Sequence, residues 1–275
     1  MADFDFTLIL CTIGRTVEVA NFFSALKRDT PGDLTLQIIL VDQNDDDRLS
    51  PIVAEYSSLW TIDYIKTEVR GISPARNLVI ERIAGKIVAF PDDDCMYIDG
   101  TLQNVKKYFD LHPAEDVLVG VWSNSAKPMF SNASFERRIN RFSLFKRGEA
   151  FVQFYRRHVI HAVGNFDLNF GPGPSSLYHH GGDDSDYLLR AALVGFKLRR
   201  VAKVHVTHPL QNTAYFSYEK ISGYGISRMK LLRKHNMPTW FKLANLFYPV
   251  FQMLLHPTAV KYYFAMFKGR FQGYS

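Results

Sequence analysis

The first hundred residues switch repeatedly between two hydrophobic periods, and that alternation constrains the fold more than any other feature. "FTLILCT" (6–12) is an apolar run of buried-strand type, and "TVEVANFFSALKR" (16–28) then spaces its apolar residues along one helix face. "LTLQIILVD" (34–42) predicts a second strand, "RLSPIVAEYSSL" (48–59) a short helix and "TIDYIKT" (61–67) a third strand. "SPARNLVIERIA" (73–84) reads as a helix capped by Ser73 with Pro74 at its first position, and "KIVAF" (86–90) as a fourth strand. Farther on, "DVLVGVW" (116–122) and "FKLRRVAKVHVTHP" (196–209) read as strands, and "DSDYLLRAALVG" (184–195) as a helix. Short connections between alternating elements predict an α/β fold, a Rossmann-like, mostly parallel central sheet flanked by helices.

Ligands of open α/β sheets bind beyond the carboxyl ends of the strands. Three predicted strand ends carry polar groups there: Thr12 with Arg15, Asp42, and the run Asp92, Asp93 and Asp94. "CTIGRT" has a single glycine and matches neither the dinucleotide fingerprint nor the Walker pattern, which demotes nicotinamide and P-loop chemistry.

Three adjacent carboxylates repel one another, so their place at a strand end needs a cause. Hard divalent cations take oxygen ligands, and magnesium is typically held by one or two carboxylates plus substrate phosphates. A solvated turn leading into the helix pattern of "GTLQNVKKYF" is the alternative. A second acidic cluster, Asp183, Asp184 and Asp186, opens a helix, where capping and the macrodipole favour acids in any protein. The preceding "LYHHGG" offers glycines and histidines that a simple cap does not need. A carboxylate there could act as a general base toward an incoming hydroxyl. His208, at a strand end, could complete a metal shell as a neutral imidazole.

Composition narrows the classes further. Of 275 residues, 47% are hydrophobic and 22% charged, enough for a sizeable core and against long disorder. Cys11 and Cys95 make neither a disulfide framework nor a zinc set and read as buried thiols. "MADFDFTLIL" has acids where a signal peptide needs a basic segment, which predicts a cytoplasmic location. From Tyr187 onward the chain carries 14 Lys and Arg against Glu219 alone, so an anionic partner is expected on that side. The aromatic, basic stretch 239–275 is interrupted by Lys242, Asn245, Pro249, Gln252 and Pro257. It therefore predicts helices lying in a membrane interface, or packed on the domain, rather than a spanning segment. No nucleic-acid motif accompanies the basic tail.

The blocks "CTIGR", "LVDQNDDD", "RGISPARN", "GKIVAFPDDD" and "GNFDLNFG…GGDDSDYLLRAALVGFKL" occur in an order that resembles the inverting GT-A glycosyltransferases of family two, over about residues 6 to 209. The resemblance implies a GT-A catalytic domain over 1–210, with a nucleotide-sugar-binding half (1–122) and an acceptor half with the catalytic base (123–210). A helical, membrane-associating extension would follow over 211–275. Asp42 would bind the base, with Thr12 and Arg15 near it, and Arg76 and Asn77 beside the nucleotide or sugar. Asp92 would contact the ribose or sugar and share the metal, Mg2+ or Mn2+, with Asp94 and His208, while Asp93 leaves open which neighbouring pair holds the ion. Asp184 would deprotonate the acceptor hydroxyl, and Asp183 stands where the family usually has glutamate. Trp122 and His180 are expected on the acceptor side.

The activity so implied is transfer of a sugar from a nucleotide diphosphate, UDP by default, to a glycan or polyprenyl-diphosphate-linked acceptor. The enzyme would be peripheral at the cytoplasmic face of the inner membrane and act in surface polysaccharide synthesis. A sugar nucleotidyltransferase, or a non-catalytic metal- or anion-binding α/β protein, are the alternatives.

Overall fold

The computed structural model describes residues 4–30, 32–98, 100–124, 135–145, 149–174, 181–209 and 217–275. The chain divides into two compact units. The first comprises Met1–Arg70, Pro74–Asn165 and Tyr187–Leu210, and the second Gly71–Ser73, Phe166–Asp186 and Gln211–Ser275.

The first unit is built on an 8-stranded sheet in the order β3-β2-β1-β4-β7-β5-β8-β6. Its strands are β1 (Phe4–Thr12), β2 (Leu36–Asp42), β3 (Thr61–Lys66), β4 (Gly85–Ala89), β5 (Val117–Ser123), β6 (Glu136–Ile139), β7 (Gln153–Arg156) and β8 (Leu198–Thr207). β1, β2, β3 and β4 pair in parallel, as do β5 and β8. Every residue of β2 is buried, which is why it reads as an unbroken apolar run rather than an alternating one. Between strands lie α1 (Val17–Asp29), α2 (Ser50–Tyr56), α3 (Ile72–Asn77), α4 (Thr101–Leu111), α5 (Arg157–Val163) and α6 (Asp183–Val194). α1 turns Val19, Phe22, Phe23, Ala25 and Leu26 inward, the stripe expected of its spacing.

Two features depart from the sequence-based expectation. β7 enters antiparallel between β4 and β5, and β6 closes the edge antiparallel to β8. Both are four residues long, too short to show a period. The segment 73–84 is not one helix. α3 stops at Asn77 and a 3-10 turn follows at Ile80–Arg82, with Val79 and Ile80 drawn into the core. Ser73 lies inside α3 rather than capping it, and its hydroxyl donates to the Phe170 carbonyl at 2.8 Å. Cys11 and Cys95 are buried and free, and burial pushes the Cys11 thiol up to about 12.

The second unit contains α7 (Tyr218–Lys234), α8 (Thr239–Leu255) and α9 (Val260–Tyr274). α7 and α9 cross at backbone contact: a Cβ placed on Gly269 would lie 1.9 Å from the Ser222 carbonyl oxygen. Gly225 and Gly273 sit at similar close approaches, to Met266 and Ile226. Among the described residues no helix is long and apolar enough to cross a membrane.

Candidate functional site

Parallel pairing sets Thr12 directly beside Asp42 at the carboxyl ends of β1 and β2. The carboxylate of Asp42 is fully buried and already bonded: Oδ1 accepts from the amide and side chain of Asn44 at 2.8 and 2.6 Å, and Oδ2 from the Tyr64 hydroxyl at 2.7 Å. Asn44 in turn accepts from the Gly14 amide at 2.6 Å, so Asp42 fixes the turn after β1 through one intermediary.

The acidic run after β4 divides its labour. Asp93 faces β1, where its carboxylate accepts from Thr12 Oγ1 at 2.6 Å and from Arg15 Nη1 at 2.7 Å. Asp92 and Asp94 instead join His208, their ligand atoms and the imidazole nitrogen all lying within 4.8 Å of one another. His208 Nε2 is 3.0 Å from Asp94 and 3.9 Å from Asp92, while Nδ1 bonds the Pro209 carbonyl at 2.8 Å. Anchoring Nδ1 in this way leaves Nε2 as the nitrogen that faces the carboxylates. Phe151 stacks on the imidazole and Trp122 meets it edge-on, at centroid distances of 4.5 and 5.6 Å.

The electrostatics favour the charged forms of Asp94 and His208. Burial pushes the Asp94 carboxyl up, but hydrogen bonds from His208 and Arg15 outweigh it and hold the group at about 2. Burial likewise works against the His208 imidazolium, and the bond to Asp94 raises its pKa nonetheless. Burial dominates at Asp93 and raises it, despite Thr12 and Arg15. Two carboxylates and an imidazole suit a divalent ion of the magnesium or manganese kind, and Arg15 brings a fixed positive charge 2.6 Å from Asp94.

Arg76 is 2% exposed, with its guanidinium 5.4 Å from the Phe90 ring and 4.0 Å from Asp92. Asn77 closes α3 next to it. Thr12, Arg15, Asp42, Arg76, Asn77, Asp92, Asp93, Asp94, His208 and Trp122 thus all belong to the first unit. Asn44, Tyr64 and Phe151 belong to the same constellation without having been singled out by sequence. Asn44 stood inside the quoted "LVDQNDDD", and its amide two places after Asp42 was the available signal.

The second acidic cluster lies in the second unit, in the first turn of α6. Gly181 and Gly182 precede it at φ of 113° and 91°, left-handed values that account for the glycine pair. Asp186 is fully buried and accepts from Lys234 Nζ at 2.6 Å, with His235 Nε2 at 2.7 Å. It holds the start of α6 to the end of α7. Asp183 is 7% exposed and Asp184 is partly exposed. His180 lies outside the described residues.

Comparison with known proteins agrees with this architecture. A curated relative, the "Minor teichoic acid biosynthesis protein GgaB" of Bacillus subtilis (strain 168), is 28% identical over 121 residues, covering 43% of this chain and 13% of its own length. The structure of the mannosyltransferase PcManGT from Pyrobaculum calidifontis with GDP-Man and Mn2+ superposes with a TM-score of 0.69 at 15% identity, over 99% of this chain and 87% of that one. S. aureus TarS 1-349 in complex with UDP-GlcNAc gives 0.62 at 15% identity, over 98% and 91%. At such identities the structural matches establish a shared GT-A-like fold. The model of "Glycosyl transferase family 2" matches residues 7–166, more than half of the chain, and the protein belongs to that family.

Proposed function

We propose that this glycosyltransferase moves a sugar from a nucleotide diphosphate to an acceptor hydroxyl in a single inverting displacement. The observation that carries the reading is the convergence of Asp92, Asp94 and His208 beyond the carboxyl end of β4. A divalent cation bound by these three, Mg2+ or Mn2+, would supply positive charge against that gathering on the leaving diphosphate. Asp42, through Asn44 and Gly14, shapes the cradle for the base, and Thr12 and Arg15 hold Asp93 so that its neighbours face the ion. Arg76 and Asn77 line the nucleotide or sugar. Asp184 takes the acceptor proton, with Asp183 beside it, and no covalent nucleophile is required.

Solved relatives carrying UDP-GlcNAc, UDP and GDP-Man support a nucleotide-sugar donor, with UDP as the first choice. The teichoic acid relative supports a phosphate-rich or lipid-linked surface glycan as acceptor, reached by a peripheral enzyme at the cytoplasmic membrane face. Trp122 and His180 are assigned to that acceptor. α8 favours membrane contact: Trp240, Leu243, Phe247, Phe251 and Leu254 recur along one face at 38 to 78% exposure. On this reading 1–210 acts as the catalytic domain and 211–275 as its membrane-facing extension.

The test is calorimetric titration of nucleoside diphosphates with and without manganese, for wild type and Asp94→Ala. Manganese-dependent binding of one nucleotide, lost in the variant, is expected. Absence of binding to any nucleotide in either condition removes the centre of the reading.

A further inference from the structure

The second unit holds a pair of arginines that the transfer reaction, as described, does not use. α7 and α9 approach through Gly225, Gly269 and Gly273, which brings Arg228 and Arg270 into the helix layer beside Asn245 of α8. Arg228 Nε donates to Asn245 Oδ1 at 3.1 Å, and Arg270 Nη1 donates to the Asn245 carbonyl oxygen. Two guanidiniums therefore share one 9%-exposed asparagine. The Arg270 guanidinium also lies 5.4 Å from the Tyr248 ring, and its Nε finds no acceptor among the described residues.

Like charges held this close are costly. Burial, then repulsion from Arg270, lowers Arg228 to about 9, with Asp184 offsetting part of the effect. Burial lowers Arg270 to about 10. The three helices have little with which to answer, since the chain from Lys220 to its end contains no Asp or Glu. Both arginines are nevertheless half-buried rather than fully buried residues. A guanidinium fork matches phosphate oxygens bidentately, and a phosphate bound at the terminal nitrogens would relieve the repulsion.

We propose that Arg228 and Arg270 seat a phosphate ester of the acceptor, in the same cluster as Asp184. This deepens the transfer reading and rests on it for the word acceptor. The ligand class is a phosphate mono- or diester whose neighbouring sugar or polyol hydroxyl is the group to be glycosylated. The chemistry is shared by a soluble polyol phosphate chain and by a phospholipid-linked acceptor. The pair would thus select anionic acceptors over neutral glycans.

The experiment uses the full chain in EDTA, so that no cation can recruit phosphate to Asp92, Asp94 and His208. Glycerol 3-phosphate is titrated by calorimetry and by thermal melting, against sodium chloride of equal ionic strength. Wild type is expected to bind and to melt at higher temperature with the ester. Arg270→Gln and Arg228→Gln are expected to bind it roughly tenfold or more weakly. Arg270→Lys, which keeps charge but loses the fork, should fall between. Where a Gln variant does not fold, wild type is modified with phenylglyoxal and mapped by mass spectrometry, and protection of Arg228 and Arg270 by the ester is expected.

A parallel arm replaces the ester with phosphatidic acid vesicles. A response to the soluble ester assigns the seat to a soluble phosphate chain, and a response to vesicles alone assigns it to a lipid phosphate. No response in either arm, or one unchanged in the Gln variants, overturns the proposal and leaves the pair as a brace for Asn245. Because EDTA silences the donor side, the two readings fail separately: phosphate binding here, with no nucleotide binding in the manganese titration, would sink the transfer reading and spare a phosphate site. The converse would sink the seat alone.

Discussion

The ring of Phe151 lies flat against the imidazole of His208, with centroids 4.5 Å apart and planes 10° from parallel. With Nδ1 tied to Pro209, this stack leaves the imidazole little freedom to swing away from Asp92 and Asp94. Groups that orient a metal ligand from behind typically matter by about 10- to 100-fold in metal affinity. Phe151→Leu keeps an apolar filling but removes the flat face. It should weaken manganese binding roughly tenfold while costing under about 1.5 kcal/mol in denaturant unfolding. Equal manganese affinity by calorimetry would reduce Phe151 to core packing.

Asp186 was one of three candidate carboxylates at the head of α6, and its surroundings give it a different task. Its buried oxygen meets both the partly exposed Lys234 and His235, so Asp186→Asn weakens two charge-assisted contacts at a buried carboxylate. Losing a hydrogen bond to a charged group typically costs about 1.5–3 kcal/mol, and Lys234, partly exposed and still paired with Asp167, should place the loss near the lower figure. Manganese binding should be unchanged. A guanidinium chloride midpoint equal to wild type would refute the anchoring role.

The Asp167–Lys234 pair carries a pH signature. Burial raises the Asp167 carboxyl, but Lys234 and the Asn169 amide win and lower it below its usual value. A depressed carboxylate stabilises the fold above its unfolded pKa of about 3.9, and that stability is lost as pH falls through the folded value. The group is largely solvent-screened, so the contribution is under about 1 kcal/mol. Asp167→Asn should flatten the dependence of melting temperature on pH below about pH 4, and the difference from wild type should vanish at the acid end of the titration.

Gly269→Ala sets two effects against each other. Alanine gains about 1 kcal/mol over glycine in a helix interior. The added methyl would meet the Ser222 carbonyl at 1.9 Å, a backbone contact that no rotamer change relieves. Overpacking of this kind costs about 1–3 kcal/mol, and with backbone on both sides the upper figure applies. A net loss of about 2 kcal/mol is therefore expected in thermal or denaturant unfolding. A stabilised variant would mean that α7 and α9 separate easily.

The apolar face of α8 makes a separate claim. Phe247, Phe251 and Leu254 are each more than half exposed, and Lys242, Lys261 and Lys268 flank the α8–α9 segment without any acid. Flotation with vesicles rich in anionic lipid should recover the wild-type protein, less so in high salt. Phe247→Ser, Phe251→Ser and Leu254→Ser together should lose most of that binding. A wild type that stays with the soluble fraction would end the membrane reading.

The sequence announced the parallel half of the sheet because buried strands are long apolar runs, as in β1 and β2, and their ends carry the polar groups. It could not reveal β7, since four residues have no period, nor its antiparallel entry, which depends on pairing across distant chain. Three consecutive aspartates marked a place but not their separate tasks. The bonds of Asp93 to Thr12 and Arg15, and the approach of Asp92 and Asp94 to His208, exist only in the folded chain. Phe151 and His208 meet through tertiary packing that no local spacing encodes. The same holds for Asp186, whose partners lie at and just beyond the end of α7.

The second unit is assembled from Gly71–Ser73, Phe166–Asp186 and Gln211–Ser275, and its boundary falls within both α3 and α6. Interleaving of this kind forbids modular inheritance. A gene truncated at residue 210 would strip Asp186 of Lys234 and His235, and would sever Asp184 from the helices that carry Arg228 and Arg270. The carboxyl-terminal helices of such a chain are therefore not exchangeable as a cassette without unpartnering the head of α6.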